Sequence, residues 1–224
     1  VTVSIVARCP ETGMFGVAVS SSSPAVAARC AHARAGVGAV ASQNVTDPSL
    51  GPRALDLMSL GAGAEQAVAV LRASAPHMEF RQVLAVDGRG GTAMHSGPRA
   101  LGIFAEARGE SVACGGNLLS GPHVPQRMVE AFEASSGHLG DRLVAVMRAA
   151  VAAGGEAGPL RSAGLTLVDR VSWPVADLRV DWTEDCPVEA LAALWALYKP
   201  QLADYVTRAL DPGAAPSYGV PGDE

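Results

Sequence analysis

The sequence predicts an α+β fold, a four-layer αββα sandwich made of two antiparallel sheets, each covered by helices. Three observations lead there. Segments rich in β-branched residues come in pairs joined by short turns containing Gly and Pro, the pattern of antiparallel hairpins. The helical segments also come in pairs, so strands and helices do not alternate one by one as a parallel βαβ sheet requires. No linker of Pro, Gly or Ser interrupts residues 1–210, which are read as a single domain, and the Gly- and Pro-heavy stretch 211–224 is expected to be a disordered tail.

TVSIVARC, the turn PETG and the returning GMFGVAVSSS form a hairpin over residues 2–22. AGVGAVASQNV (35–45) is read as a third strand, its glycines marking close approach by another backbone. TDPSLGPRALDLMSLG opens a helix with Leu50, Ala54, Leu57 and Met58 at spacings of three and four, and GAGAEQAVAVLRASAP adds a second that stops before Pro76. VLAV, DGRGG and TAMHSG make another hairpin, and LGIFAEARGESVACGGN a further pair turning at Arg108-Gly109-Glu110. HVPQRMVEAFEASS and LGDRLVAVMRAAVAAGG are helices parted at Gly137. A strand over 162–169 pairs with VADLRVDW, and CPVEALAALWALYKPQLADYVTRAL is a terminal helix bent or interrupted at Pro200.

Composition narrows the partners. With 49% hydrophobic and 17% charged residues the chain is not generally disordered, and a net charge of −5 without a basic cluster argues against nucleic acid. No run of 18 apolar residues and no basic-then-apolar leader is present, so a cytoplasmic protein without a membrane partner is expected. Cys9, Cys30, Cys114 and Cys186 make no CxxC, and the five histidines make no HExxH or HxH, so neither a metal nor a cofactor is expected. The chain has no GxSxG elbow and no P-loop ending. A homodimer or higher homo-oligomer is the expected assembly, being the commonest for soluble proteins.

Candidate chemistry starts at Thr2, which heads the first strand. Threonine is common in strands. A strand-leading Thr can also be the first residue of a mature chain, where its hydroxyl attacks a carbonyl and its own α-amine, with a pKa of about 7.7–8.0, takes the proton. A Val1–Thr2 peptide bond would turn that amine into an amide. Val1 can, however, record a GTG start read as methionine, whose removal before a small residue exposes Thr2. Ser20 and Ser21, at the end of the second strand, both stand where a hydroxyl could reach Thr2, and Ser20 is assigned the orienting role. In CGGNLLSG the Gly-rich turn can aim backbone N–H groups and the Asn117 amide at an oxyanion, although such a turn needs no function. Arg34 could hold a carboxylate, and Gln43 or Asn44 could donate to a carbonyl, or all three could belong to an ordinary strand with a polar exit. Arg161, heading a late strand, carries the same two readings. Cys9 or Cys114 as a nucleophile is a third possibility, with packing the simpler role for both.

TVSIVARCPETGMFGVAVSSSSPAVAARC, RAGVGAVASQNVTDPSLGPRALDL and GGNLLSG with its following helix resemble, over about residues 2–200, the bacterial and archaeal domain of unknown function 1028 family (DUF1028). The resemblance implies the N-terminal nucleophile (Ntn) hydrolase fold and lines Thr2 up with the nucleophile position. The family has no assigned reaction, and some members carry a peptidoglycan-binding domain that points toward cell-wall metabolism. Many relatives have Asp at Cys9 and Lys at Ser22, so the lysine that activates several Ntn nucleophiles has no counterpart beside Thr2 in this sequence. The expected function is cleavage of a peptide or non-peptide C–N amide bond, in cell-wall or small-amide metabolism, by Thr2, Ser20 and Asn117, with Arg34, Gln43, Asn44 and Arg161 binding substrate. The alternative is a non-catalytic ligand-binding or assembly scaffold on the same fold.

Overall fold

The computed structural model describes residues 2–221; Val1, on which exposure of the Thr2 amine depends, and residues 222–224 of the tail lie outside the described residues. Strands β1 (Thr2–Arg8) and β2 (Phe15–Ser21) form the first hairpin, followed by the one-turn helix α1 (Ala27–Cys30), β3 (Ala31–Arg34) and β4 (Gly38–Gln43). Helices α2 (Leu50–Ser59) and α3 (Ala64–Ser74) lead to β5 (Gln82–Asp87), β6 (Thr92–Ser96), β7 (Ala105–Gly109) and β8 (Val112–Asn117). Helices α4 (Val124–Ala134) and α5 (Leu139–Ala152), strands β9 (Ser162–Val168) and β10 (Ala176–Val180), and helices α6 (Pro187–Tyr198) and α7 (Leu202–Leu210) complete the order.

The strands form two sheets, β10-β9-β2-β1-β8-β7 and β3-β4-β5-β6, in which every neighbouring pair is antiparallel. Alternation along each strand divides its residues between two faces. Ile5, Cys114 and Leu165 of the larger sheet pack with Met128 and Phe132 of α4, Leu143 and Met147 of α5 and Leu191 of α6. Val40, Val83 and Ala85 of the smaller sheet pack with Leu50 and Leu55 of α2 and Leu71 of α3. A third cluster joins the two sheets directly: Val6, Phe15, Val17 and Ala113 from one meet Ala39, Ala41, Leu84 and Val86 from the other. Helix α5 lies so close to β2 that a Cβ at Gly16 would overlap the Leu143 side chain.

The strand read over 35–45 departs from the sequence reading, and the break expected in the terminal helix is present. The single strand expected over 35–45 is the second arm of a hairpin: Gly36, at φ 71°, turns the chain between β3 and β4, with Val37 N donating to Arg34 O at 3.1 Å. Asn44 and Val45 follow at φ 59° and 48°, which ends β4 at Gln43. The terminal helix is divided, as its proline requires, by a 3₁₀ turn over Lys199–Gln201. Beyond α7, Arg208 donates to Pro216 O at 3.0 Å and stacks over Tyr218. Among the described residues no helix is long and apolar enough to cross a membrane.

Candidate active site

The space between the sheets changes character from one end to the other, and the strand sequences show why. On β1 the residues facing the second sheet run Val6, Ser4, Thr2; on β8 they run Ala113, Gly115, Asn117; on β2, Val17, Val19, Ser21. On the facing strands Ala39 and Ala41 give way to Gln43, and Val86 and Leu84 to Gln82. The register stacks these polar ends together, because Thr2 pairs with Asn117 and Gln43 with Gln82.

Buried polar groups of this kind need partners, and most have them. Ser4 Oγ donates to Gln43 Oε1 at 2.7 Å, and Gln43 Nε2 donates to Gln82 Oε1 at 3.2 Å. Asn117 Nδ2 donates to the same Gln82 Oε1 at 3.0 Å. Gln82 Nε2 in turn donates to Gly116 O at 3.0 Å and Ser96 Oγ at 2.9 Å, which makes Gln82 the hub. One atom is left over: Asn117 Oδ1 is buried without a hydrogen-bond partner among the described residues.

Thr2 lies between Asn117 and Ser21, with 5% of its surface exposed. Its Oγ1 donates to Ser21 Oγ over 3.4 Å, a long contact for two hydroxyls. Ser21 Oγ is 2.9 Å from Ser23 Oγ and accepts Ser23 N–H at 3.1 Å, and Arg29 reaches the same Ser23 hydroxyl at 3.1 Å. One residue further, Ser22 N–H donates to Oε2 of the buried Glu156 at 3.1 Å. Glu156 Oε1 has no hydrogen-bond partner among the described residues, and burial pushes its carboxyl up to about 8, against the opposing pull of nearby positive charge and the hydrogen bonds from Ser22.

Residues 2–191 match the family of unknown function DUF1028. The chain belongs to that family. A DUF1028 protein of Silicibacter pomeroyi, known from its crystal structure, is similar at 30% identity over 91% of this chain and 92% of its own, with a TM-score of 0.84. Anbu, the ancestral β-subunit, from Yersinia bercovieri aligns over 92% of this chain and 97% of its own at 10% identity, with a TM-score of 0.42. An Anbu Gly-1 mutant from Hyphomicrobium sp. strain MC1 aligns over 90% and 96% at 10% identity, with a TM-score of 0.40. Likeness that weak carries no argument about activity. No curated protein matches the chain.

In this DUF1028 chain the strand geometry corrects several sequence expectations. Ser20 pairs with Val3 and shares the face of Ala18, toward the helices, so the neighbour of Thr2 is Ser21; a step of one residue along a strand reverses the face. The oxyanion site expected around Asn117 is largely spent, because Leu118 N–H and Leu119 N–H donate to Leu101 O and Ile103 O, each at 2.9 Å. The unpartnered atom of Asn117 itself is an acceptor. Arg34 stands opposite Gly38, at the far end of the smaller sheet from Gln43, and pairs with Asp56 at 2.8 Å. Asn44 has both ends of its amide engaged: Nδ2 donates to Phe80 O, and Oδ1 accepts Leu101 N–H at 3.1 Å. Arg161 touches the cluster through its backbone N–H, which donates to Ser21 O at 2.8 Å, but its guanidinium turns to Glu184 Oε2 at 2.7 Å. Gln43 alone of the four expected substrate ligands belongs to the cluster.

Glu156 is the residue sequence reasoning missed. It follows Gly154 and Gly155, both at positive φ, where the chain leaves α5 and doubles back to bridge Leu119. A lone acid after two glycines carries no local signal. Glu156 also lines a cavity of about 320 Å³ with Gly155, Leu160, Glu184 and Cys186. A larger cavity of about 730 Å³, among Gly63, Asp87, Gly91, Arg108 and Ser111, opens at the opposite end of the sheets and contains none of the expected site residues. Cys114 is fully buried, and burial drives its thiol well above the ordinary range, which fits packing and not nucleophilic attack. No group of three or more His, Cys, Asp or Glu among the described residues is placed to hold a metal ion.

Proposed function

We propose that this DUF1028 chain is an Ntn-type amidohydrolase, its two sheets and their helices forming one αββα domain over residues 1–210. The observation that carries the reading is the setting of Thr2: it heads a central strand, its hydroxyl donates to Ser21, and its register partner Asn117 offers a buried acceptor without a partner among the described residues. In a chain that begins at Thr2, Oγ1 attacks the amide carbon while its proton passes to the α-amine. The tetrahedral adduct collapses, the C–N bond breaks, and the α-ammonium returns the proton to the leaving amine. Water, activated by the same amine, then cleaves the Thr2 ester, releasing a carboxylic acid and restoring the hydroxyl. Ser21 takes the role first given to Ser20. Asn117 Oδ1 accepts the substrate N–H, a preference for amides over esters. The substrate is a peptide or a small amide, of the kind met in cell-wall or small-amide metabolism, and the working form is a cytoplasmic homo-oligomer.

The test uses protein whose first residue is verified as Thr2 by intact mass. An electrophilic acylating probe should modify Thr2, as located by mass spectrometry, and the modification should vanish in Thr2→Ala. Modification at another residue with Thr2 untouched rejects the reading. The burial of Thr2 supports a second one, a non-catalytic ligand-binding or assembly scaffold. That reading expects no modification at all, even with the N-terminal amine verified.

A further inference from the structure

Glu156 is 6% exposed, spends one carboxylate oxygen on Ser22 N–H and leaves the other without a hydrogen-bond partner among the described residues. A buried acceptor left open is costly, and its position says what would fill it. β1 and β2 run antiparallel with Val3 opposite Ser20, so Thr2 falls opposite Ser21 and the ladder ends there. Ser22 is one step beyond. The carboxylate that takes its N–H therefore stands off the end of β1, on the side where the Thr2 nitrogen lies.

We propose that Glu156 is the positioning residue of the Thr2 α-amine: in a chain beginning at Thr2, Glu156 Oε1 accepts a hydrogen bond from that amine and directs its lone pair toward Oγ1. This rests on the Ntn reading. The bond places two titrating groups side by side, so amine and carboxyl hold protons jointly, and removing the carboxylate makes the amine a weaker base. The other charged or titratable groups facing this end are Arg29, held on Ser23, the Arg161–Glu184 pair, and Asp185 and Cys186 on the wall of the 320 Å³ cavity. Arg29 and Arg161 are committed to Ser23 and Glu184, and Glu156 is the carboxylate of the set bonded to the strand end beside Thr2, through Ser22 N–H.

The experiment is an NMR titration of protein verified to begin at Thr2 and ¹³C-labelled at threonine. The Thr2 Cα signal is assigned by comparison with Thr2→Ser. Glu156→Gln should lower the pH midpoint of the amine by about one unit, a roughly tenfold change in its protonated-to-neutral ratio at fixed pH. An unchanged midpoint overturns the proposal. Should Glu156→Gln fail to fold, wild-type protein labelled at the glutamate carboxyl serves instead. Acetylating the Thr2 amine removes its charge and should raise the Glu156 midpoint, and an unmoved midpoint again overturns the proposal. Neither measurement needs turnover. A shifted amine in protein that no electrophile modifies at Thr2 upholds the pairing and rejects the amidohydrolase, whereas modification at Thr2 without any shift rejects Glu156 alone.

Discussion

Gln82 is the side chain on which the polar end of the inter-sheet space depends. Its Oε1 accepts from both Gln43 and Asn117, and its Nε2 donates to Gly116 O and Ser96 Oγ. Leucine at this position matches the volume but leaves two buried amide donors and a carbonyl without partners. At about 1–3 kcal/mol for each stranded group, relieved in part by local shifts, Gln82→Leu should cost about 3 kcal/mol in urea unfolding. The serine pair gives a sharper comparison. Ser21→Ala removes the hydroxyl that accepts from Thr2, so the rate of Thr2 modification by an electrophile should fall by about tenfold or more. Ser20→Ala, on the opposite face, should leave that rate within about a factor of two. Equal losses in the two variants would remove Ser21 from its assigned role.

Among the elements, packing of α5 on β2 is the tightest test. A side chain at Gly16 meets Leu143 and Leu167, so Gly16→Val should overfill the core and destabilise the protein by about 1–3 kcal/mol, read as a lowered urea midpoint at unchanged m-value. What the sequence made legible at this scale was what local chemistry decides. The hairpins, the break at Gly137 and the interruption at Pro200 follow from turn and breaker residues acting on their immediate neighbours. The β3–β4 hairpin was hidden because AHARAGVGAV is small and unpatterned, and only the positive φ of Gly36 reveals the reversal. The site was legible in part for the same reason. Thr2 and Asn117 were readable as strand ends, but which of Ser20 and Ser21 faces Thr2 depends on a register fixed across a six-residue turn between Arg8 and Phe15. Glu156 was beyond reach, since its contact with Ser22 spans 134 residues and exists only through the sheet topology.

At the scale of the whole molecule, the buried carboxyl gives stability a direction with pH. The folded-state pKa of Glu156 lies near 8, above the ordinary value of 4.5, because burial disfavours the anion. Between those values the folded protein holds a proton that the unfolded chain has released, so the contribution of this group to stability is fullest below about pH 4.5 and declines as pH rises toward 8. The decline from this one group should amount to about 5 kcal/mol at most, roughly 1.4 for each pH unit of the interval, and Glu156→Gln should flatten it in urea titrations at pH 5 and pH 8. A slope unchanged by the substitution would place the proton elsewhere. The cluster of Gln43, Gln82 and Asn117 has a further use. Their carboxamides have no solvent-exposed surface, and the NH₂ groups of Asn117 and Gln82 donate across the gap between the two sheets, to Gln82 Oε1 and Gly116 O. Side-chain NH₂ protons ordinarily exchange with deuterium quickly, but these should exchange only when the sheets part. Two internal clocks therefore sit at one end of the molecule, able to time the separation of its two halves against the exchange of the surrounding backbone.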